Sequence, residues 1–96
     1  MDTTGTVVVR ISGRVLPGDV SRLCEELSAR AAETAATEVI CEVGALAPAD
    51  LAAVEALARL RLTARRLGCR TRLRGAGPEL LALLGLLGLG VLAEAG

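Results

Sequence analysis

Three cysteines, eleven arginines and eleven carboxylates are the side chains from which this chain could build chemistry. Histidine, lysine, phenylalanine, tyrosine and tryptophan are all absent. Without histidine there is no Ser-His or Cys-His nucleophilic pair and no imidazole metal ligand. Without lysine, Schiff-base chemistry and the phosphate-gripping lysine of a P-loop are gone. Without aromatic residues there is no platform on which bases could stack.

The cysteines are Cys24, Cys41 and Cys69. Their number is odd, their spacing is wide, and no CxxC pair occurs, so neither a disulfide framework nor a zinc site is indicated. The reading is of a reduced, cytoplasmic protein that needs no metal or cofactor, since Met1–Gly5 is short and polar and does not resemble a signal peptide. Cys24–Arg30, "CEELSAR", has the C-x5-R spacing of cysteine phosphatases. It lacks their glycine-rich loop, and two glutamates beside the thiol oppose thiolate formation. Gly13–Asp19, "GRVLPGD", has P-loop glycine spacing, but Asp19 stands where lysine is required and would repel phosphate. Cysteine redox chemistry through Cys69 is the remaining enzymatic option, and it ranks below a non-catalytic role. Seven of the eleven arginines lie between Arg59 and Arg74. They are either a patch for an anionic partner or the solvated flanks of a helix and a strand.

The elements that position these residues follow from periodicity. Thr6–Ser12 is rich in β-branched residues and ends at Gly13, which predicts a strand. Pro17–Asp19 forms a turn with Asp19 as N-cap. Val20, Leu23, Cys24, Leu27 and Ala31 then recur at helical spacing, with Glu25, Glu26, Arg30 and Glu33 outside. Glu38–Val43 is a second strand closed by Gly44. A helix over Ala47–Leu67 follows, with Pro48 in its first turn, Asp50 complementing its dipole and Gly68 ending it. Cys69–Gly75 alternates, with Thr71 and Leu73 on one face and three arginines on the other. Gly77–Leu87 is the last helix, and Gly90–Leu92 returns as a short strand. The apolar run Leu80–Leu92 is too short and too glycine-interrupted to span a bilayer. The alternation predicts one small α/β domain over Thr6–Leu92, with three to four mostly parallel strands and three helices. Val7, Val9, Ile40, Leu57, Leu60 and Leu73 are its expected core, and because both faces of a covered strand are apolar, Val7 and Val8 are alternatives for which one faces which layer. Cys41 reads as a small buried hydrophobe.

On a wheel of about 100° per residue, Ala53, Ala56, Leu57, Leu60, Ala64 and Leu67 gather on the sheet side of the long helix. Leu51, Glu55, Ala58 and Leu62 fall opposite, where charges are the norm. Arg61 and Arg65 flank the core stripe on one edge, and Arg59 and Arg66 on the other. The outer stripe is either a docking surface for another protein or a scatter of exposed apolar residues in an Ala/Leu-rich chain. A net charge of zero argues against generic binding to nucleic acid or a membrane surface. It also predicts poor solubility unless a partner, or a second copy of the chain, covers part of the surface.

The order of these blocks resembles the STAS domain, the fold of bacterial anti-sigma factor antagonists. Ser12–Val15 corresponds to that family's T/S-G-x-[ILV] motif, and Gly75–Leu89, "GAGPELLALLGLLGL", is similar to its "G-x-x-P-E-[LV]…L…GL" helix. Asp50–Val54, "DLAAV", falls where the family carries D-S-[ST]-G-L. Leu51, Ala52 and Ala53 replace the serines and the glycine, so Ala52 occupies the phosphoacceptor-equivalent position. Partner-switching members are phosphorylated there by an anti-sigma factor kinase, and a methyl group cannot accept phosphate. The family's extra N-terminal strand and C-terminal extension also have no counterpart in this sequence.

The resemblance implies a non-catalytic regulator, taking part in control of transcription, that binds an anti-sigma factor or related kinase-like ATPase domain. Its binding face would comprise Asp50, Leu51, Glu55, Ala58, Leu62, Arg61 and Arg65. STAS domains also serve as small cytoplasmic subunits of phospholipid-trafficking ABC transporters, which is the alternative. Incubation with an anti-sigma factor kinase and ATP should therefore leave Leu51–Ala53 unmodified in phosphopeptide mapping. If phosphorylation regulates the protein, the modified residue is expected elsewhere, at Thr63 or Ser21.

Overall fold

The computed structural model describes residues 5–88. Strand β1 (Thr6–Arg10) leads to helix α1 (Asp19–Thr34), strand β2 (Glu38–Glu42), helix α2 (Leu51–Arg66), strand β3 (Arg70–Arg74) and helix α3 (Pro78–Leu86). The return strand expected at Gly90–Leu92 lies outside the described residues, as does the end of the expected domain span.

The three strands form a parallel sheet in the order β1-β2-β3. Each crossover moves one strand in the same direction. With the usual right-handed crossover, α1 and α2 must then lie on the same side of the sheet. They do, and α3 packs against α2. Val7 and Val9 of β1, Val39 and Cys41 of β2, and Leu73 of β3 point into this helical layer. They meet Leu23 and Leu27 from α1, Ala53, Leu57 and Leu60 from α2, and Leu80 and Leu84 from α3 in one core. Among the described residues no polar or charged residue is buried as a whole, and the one buried side-chain oxygen without a hydrogen-bond partner is Thr71 Oγ1.

The other sheet face carries no described helix, which corrects the expectation of a strand covered on both sides. Ile40 is consequently half-buried rather than core. Thr6, Val8 and Arg10 share this face with Glu38, Ile40 and Glu42 and with Arg70, Arg72 and Arg74. Arg72 pairs with Glu38 at 3.3 Å and Arg74 with Glu42 at 2.6 Å. The edge of β1 turned away from β2 is met by α1: the Arg30 guanidinium donates to the Val8 carbonyl at 2.7 Å.

Several boundaries differ from the sequence reading for local reasons. Gly18, not Asp19, is the N-cap of α1. Asp19 instead turns back on the preceding loop, its Oδ2 accepting from the Leu16 N–H at 2.9 Å. Helix α2 is shorter than Ala47–Leu67, because Asp50 caps it and leaves Pro48 in the loop. At its other end the Cys69 N–H donates to the Ala64 carbonyl at 2.8 Å and the Gly68 N–H to Arg65 at 3.0 Å. This is a Schellman turn, with Gly68 at φ 80°. The turn swings Leu67 off the core stripe, leaving it 40% exposed. Val54, absent from the expected stripe, is buried, because α2 touches α1, β2, β3 and α3 and so hides a wider arc.

Gly75 is required where β3 ends. Its φ is 84°, and a Cβ there would stand 2.9 Å from the Gly44 Cα and from Glu42 Oε2. The loops after β2 and β3 touch at this point, at the same end of the sheet as the start of α2.

Cys41 lies in the centre of the core, and burial pushes its thiol pKa from 9.0 up to about 12. The unfolded chain therefore ionises this thiol first as pH rises, and the stability associated with keeping it neutral is lost between pH 9 and about 12. In denaturant titrations the wild type should lose stability over that window more steeply than Cys41→Ala. The difference in slope should approach about 1.4 kcal/mol per pH unit, the value for one proton.

Candidate protein-docking surface

The start of α2 is built by Asp50. Its extended backbone (φ −121°, ψ −176°) breaks from the helix, and its carboxylate accepts from the Ala53 N–H at 3.0 Å. An acid in this position satisfies a donor the helix cannot and complements the positive end of its dipole. The carboxylate expected to face a partner is thus engaged in holding the helix start. Directly beyond it, Leu51 is 66% exposed, and Ala52 also faces solvent.

The outer stripe lies largely where the wheel places it. Glu55 is exposed, Leu62 is 43% exposed, and Ala58 is half-buried. Arg65 is exposed, whereas Arg61 and Thr63 are half-buried. The structure brings Leu51, Glu55, Ala58 and Leu62 onto one face, with Asp50 beneath its first turn.

A neighbouring feature was not read from the sequence. The loop before α1 lies beside the start of α2, and between them runs an open groove of about 270 Å³. Leu16, Pro17 and Val20 line one side, and Ala52, Glu55 and Arg59 the other. Leu16 is 54% exposed. Reciprocal hydrogen bonds hold it there: Leu16 N–H to Asp19 Oδ2 and Asp19 N–H to the Leu16 carbonyl, both 2.9 Å. The Leu16 N–H, and then Arg22 at 2.8 Å, keep the Asp19 carboxyl below its ordinary range. A signal did exist in "VLP": two adjacent apolar residues in a loop cannot both point inward, and Val15 takes the core. Ser21, one of the hydroxyls singled out above, also lines this groove.

The groove holds a methyl group at Ala52, one carboxylate, one guanidinium and a single serine. Cys69 is not part of the groove lining and is buried, its Sγ donating to the Ala36 carbonyl at 3.2 Å. Among the described residues no cluster of acids and cysteines could hold a metal ion, and no helix is long and apolar enough to cross a membrane. Apolar side chains held in water around a rigid groove are suited to contact another protein.

Fold and surface together define a small α/β domain with exposed leucines around the start of its second helix. The chain belongs to the STAS family: it matches the family described as "Mlab, STAS domain" over residues 2–94. No curated protein sequence matches it. Among solved structures it is similar to a sulfate transporter family protein from Wolinella succinogenes, at 21% identity and a TM-score of 0.74, covering 94% of this chain and 73% of that one. It is also similar to the anti-sigma factor antagonist SpoIIAA in its unphosphorylated form, at 22% identity and a TM-score of 0.68, covering 90% and 78% of the two chains. The phosphorylated form of SpoIIAA, the Bacillus cell fate determinant, aligns at 24% identity and a TM-score of 0.69, covering 95% and 82%. These likenesses establish the three-stranded parallel STAS fold. STAS domains are in general regulatory rather than catalytic.

Removing the Asp50 cap should cost stability without displacing the exposed stripe. Asp50→Ala should lower unfolding free energy by about 1 kcal/mol, and Asp50→Asn by only a few tenths, because the amide oxygen can still accept from Ala53. Chemical denaturation of the two variants measures this directly.

Proposed function

We propose that this chain is a non-catalytic docking module that binds an anti-sigma factor or a related kinase-like ATPase domain through the start and outer face of α2. The observation that carries the reading is the row of exposed leucines, Leu16, Leu51 and Leu62, around a position where the family motif has lost its hydroxyl. Because Ala52 cannot carry phosphate, binding here is not switched off by modification at that residue. Leu51, Ala58 and Leu62 supply the apolar centre of the contact, and Glu55, Arg61 and Arg65 supply its rim. Leu16 and Val20 extend it across the groove. The domain works in the cytoplasm as a constitutive partner.

A second reading rests on one observation. The matched family is described by Mlab rather than by the anti-sigma factor antagonists. On that reading the same face docks on the ATPase of a phospholipid-trafficking ABC transporter, and the lost hydroxyl reflects a permanent subunit.

Leu51→Asp and Leu62→Asp test the surface. Both residues are exposed, so each change should shift unfolding free energy by about half a kcal/mol or less. An acid at position 51, in the first helical turn, even suits the dipole. In titrations against the captured partner, each should cost about 2 kcal/mol of affinity or more by placing an unpaired charge in the contact. Arg65→Glu should act mainly on association rate and salt dependence. Loss of binding with an intact thermal melt supports the surface, and normal binding by both leucine variants removes it. Mass-spectrometric identification of the partner lost from the Leu62→Asp pull-down separates the sigma-factor reading from the transporter one.

A further inference from the structure

The sheet face opposite the helices is a second surface with a definite chemistry. Its nine residues form three cross-strand rows: Thr6, Glu38 and Arg70; Val8, Ile40 and Arg72; Arg10, Glu42 and Arg74. The centre is apolar, because Val8 and Ile40 adjoin in register and are both half-buried. Around that centre stand four arginines against two glutamates.

Both glutamates are already committed. Glu38 accepts from Arg72 at 3.3 Å. Glu42 accepts from Arg74 Nε at 2.6 Å and from the Gly44 N–H at 3.3 Å. Arg74 first, then the Gly44 amide, and Arg10 through its charge, hold the Glu42 carboxyl below the ordinary carboxylate range. Among the described residues two positive charges remain in excess on this face, and Arg70 makes no ion pair with any of them. The excess is concentrated on β3, where all three arginines lie side by side at every second residue.

We propose that this open face binds an acidic segment of a partner protein, its carboxylates aligned along β3 and an apolar side chain seated on Val8 and Ile40. Charge complementarity selects this occupant. A second copy brings the same excess of positive charge, so two such faces repel. Single-stranded nucleic acid is favoured by stacking platforms, and the chain has no aromatic residue. The apolar centre likewise suits a side chain better than a phosphate backbone. Arginine, with its planar fork, is the cation that pairs best with carboxylates when partly desolvated.

This surface is distinct from the α2 stripe. Helix α2 packs on the other side of the sheet, so the two faces point in opposite directions. A domain carrying both can hold two proteins at once, which makes it an adaptor rather than a simple plug.

The test uses the full chain labelled with 15N and a twenty-residue poly-glutamate peptide as probe, at low and at moderate salt. Amide and arginine Nε–H shifts should map to Val8, Ile40, Arg70, Arg72 and Arg74, and should weaken as salt rises. Arg70→Glu and Arg10→Glu leave the Arg72–Glu38 and Arg74–Glu42 ion pairs intact and should each weaken the peptide by roughly tenfold at low salt. Leu62→Asp should leave peptide binding unchanged, which separates this surface from the α2 stripe. Shifts confined to Arg59, Arg61, Arg65 and Arg66 would overturn the proposal in favour of a patch on α2. Equal binding of poly-uridylate would overturn it in favour of nucleic acid. Concentration-dependent broadening of the same signals without any peptide would overturn it in favour of self-association.

Discussion

Two right-handed crossovers running the same way across a three-stranded parallel sheet determine most of what this molecule can do. Because the strand order is β1-β2-β3, neither helix can reach the far face without a left-handed connection. The helical layer therefore collects on one side, and its leucines and alanines close a core that contains no aromatic ring. Small side chains permit this. With Ala53, Ala56 and Ala64 at the interface, α2 can sit close to the sheet and still touch α1 and α3. The asymmetry of the whole domain, one face packed and one face charged, follows from connectivity before any individual contact is considered.

The same connectivity assembles the exposed surface at the start of α2. In a parallel sheet every strand ends on the same side of the molecule, so the loops after β1, β2 and β3 meet there. The Gly44–Gly75 approach draws the second and third loops together, and the Asp19–Leu16 hydrogen bonds fix the first. Helix α2 begins between them. Its N-cap aspartate has a structural duty, since its carboxylate accepts from the Ala53 backbone N–H. Leu51 and Ala52 beside it have no such structural duty, and both face solvent.

Much of this was legible in the chain, and each failure has its own physical cause. The alternation in Cys69–Gly75 placed Thr71 and Leu73 towards the helices and the arginines outward, because strand geometry has a period of two and needs no tertiary information. The wheel likewise found Leu57 and Leu60 inside and Leu51 and Leu62 outside. Ile40 and Val54 were misjudged because burial there depends on how many neighbours an element acquires. A strand pattern does not reveal whether one face or two are covered, and a helical pattern does not reveal how wide an arc its neighbours hide. Leu67 went wrong at the Schellman turn, where the helix periodicity stops applying. The groove between Leu16 and Ala52 joins residues far apart in sequence, so no local pattern could announce it.

The hydrogen bond from Arg30 to the Val8 carbonyl has a consequence for how copies of this protein coexist. A parallel sheet with an uncovered outer strand offers a template on which another chain can add, and a protein of zero net charge has little general repulsion to prevent it. Arg30 places a solvated cation at the middle of that strand and occupies the acceptor an incoming strand would use first. An intruding chain must displace the guanidinium and also pull it from Glu26, 3.6 Å away on the same helix. One long side chain, 22 residues removed in sequence from the carbonyl it covers, thus obstructs the middle of that edge against an added strand.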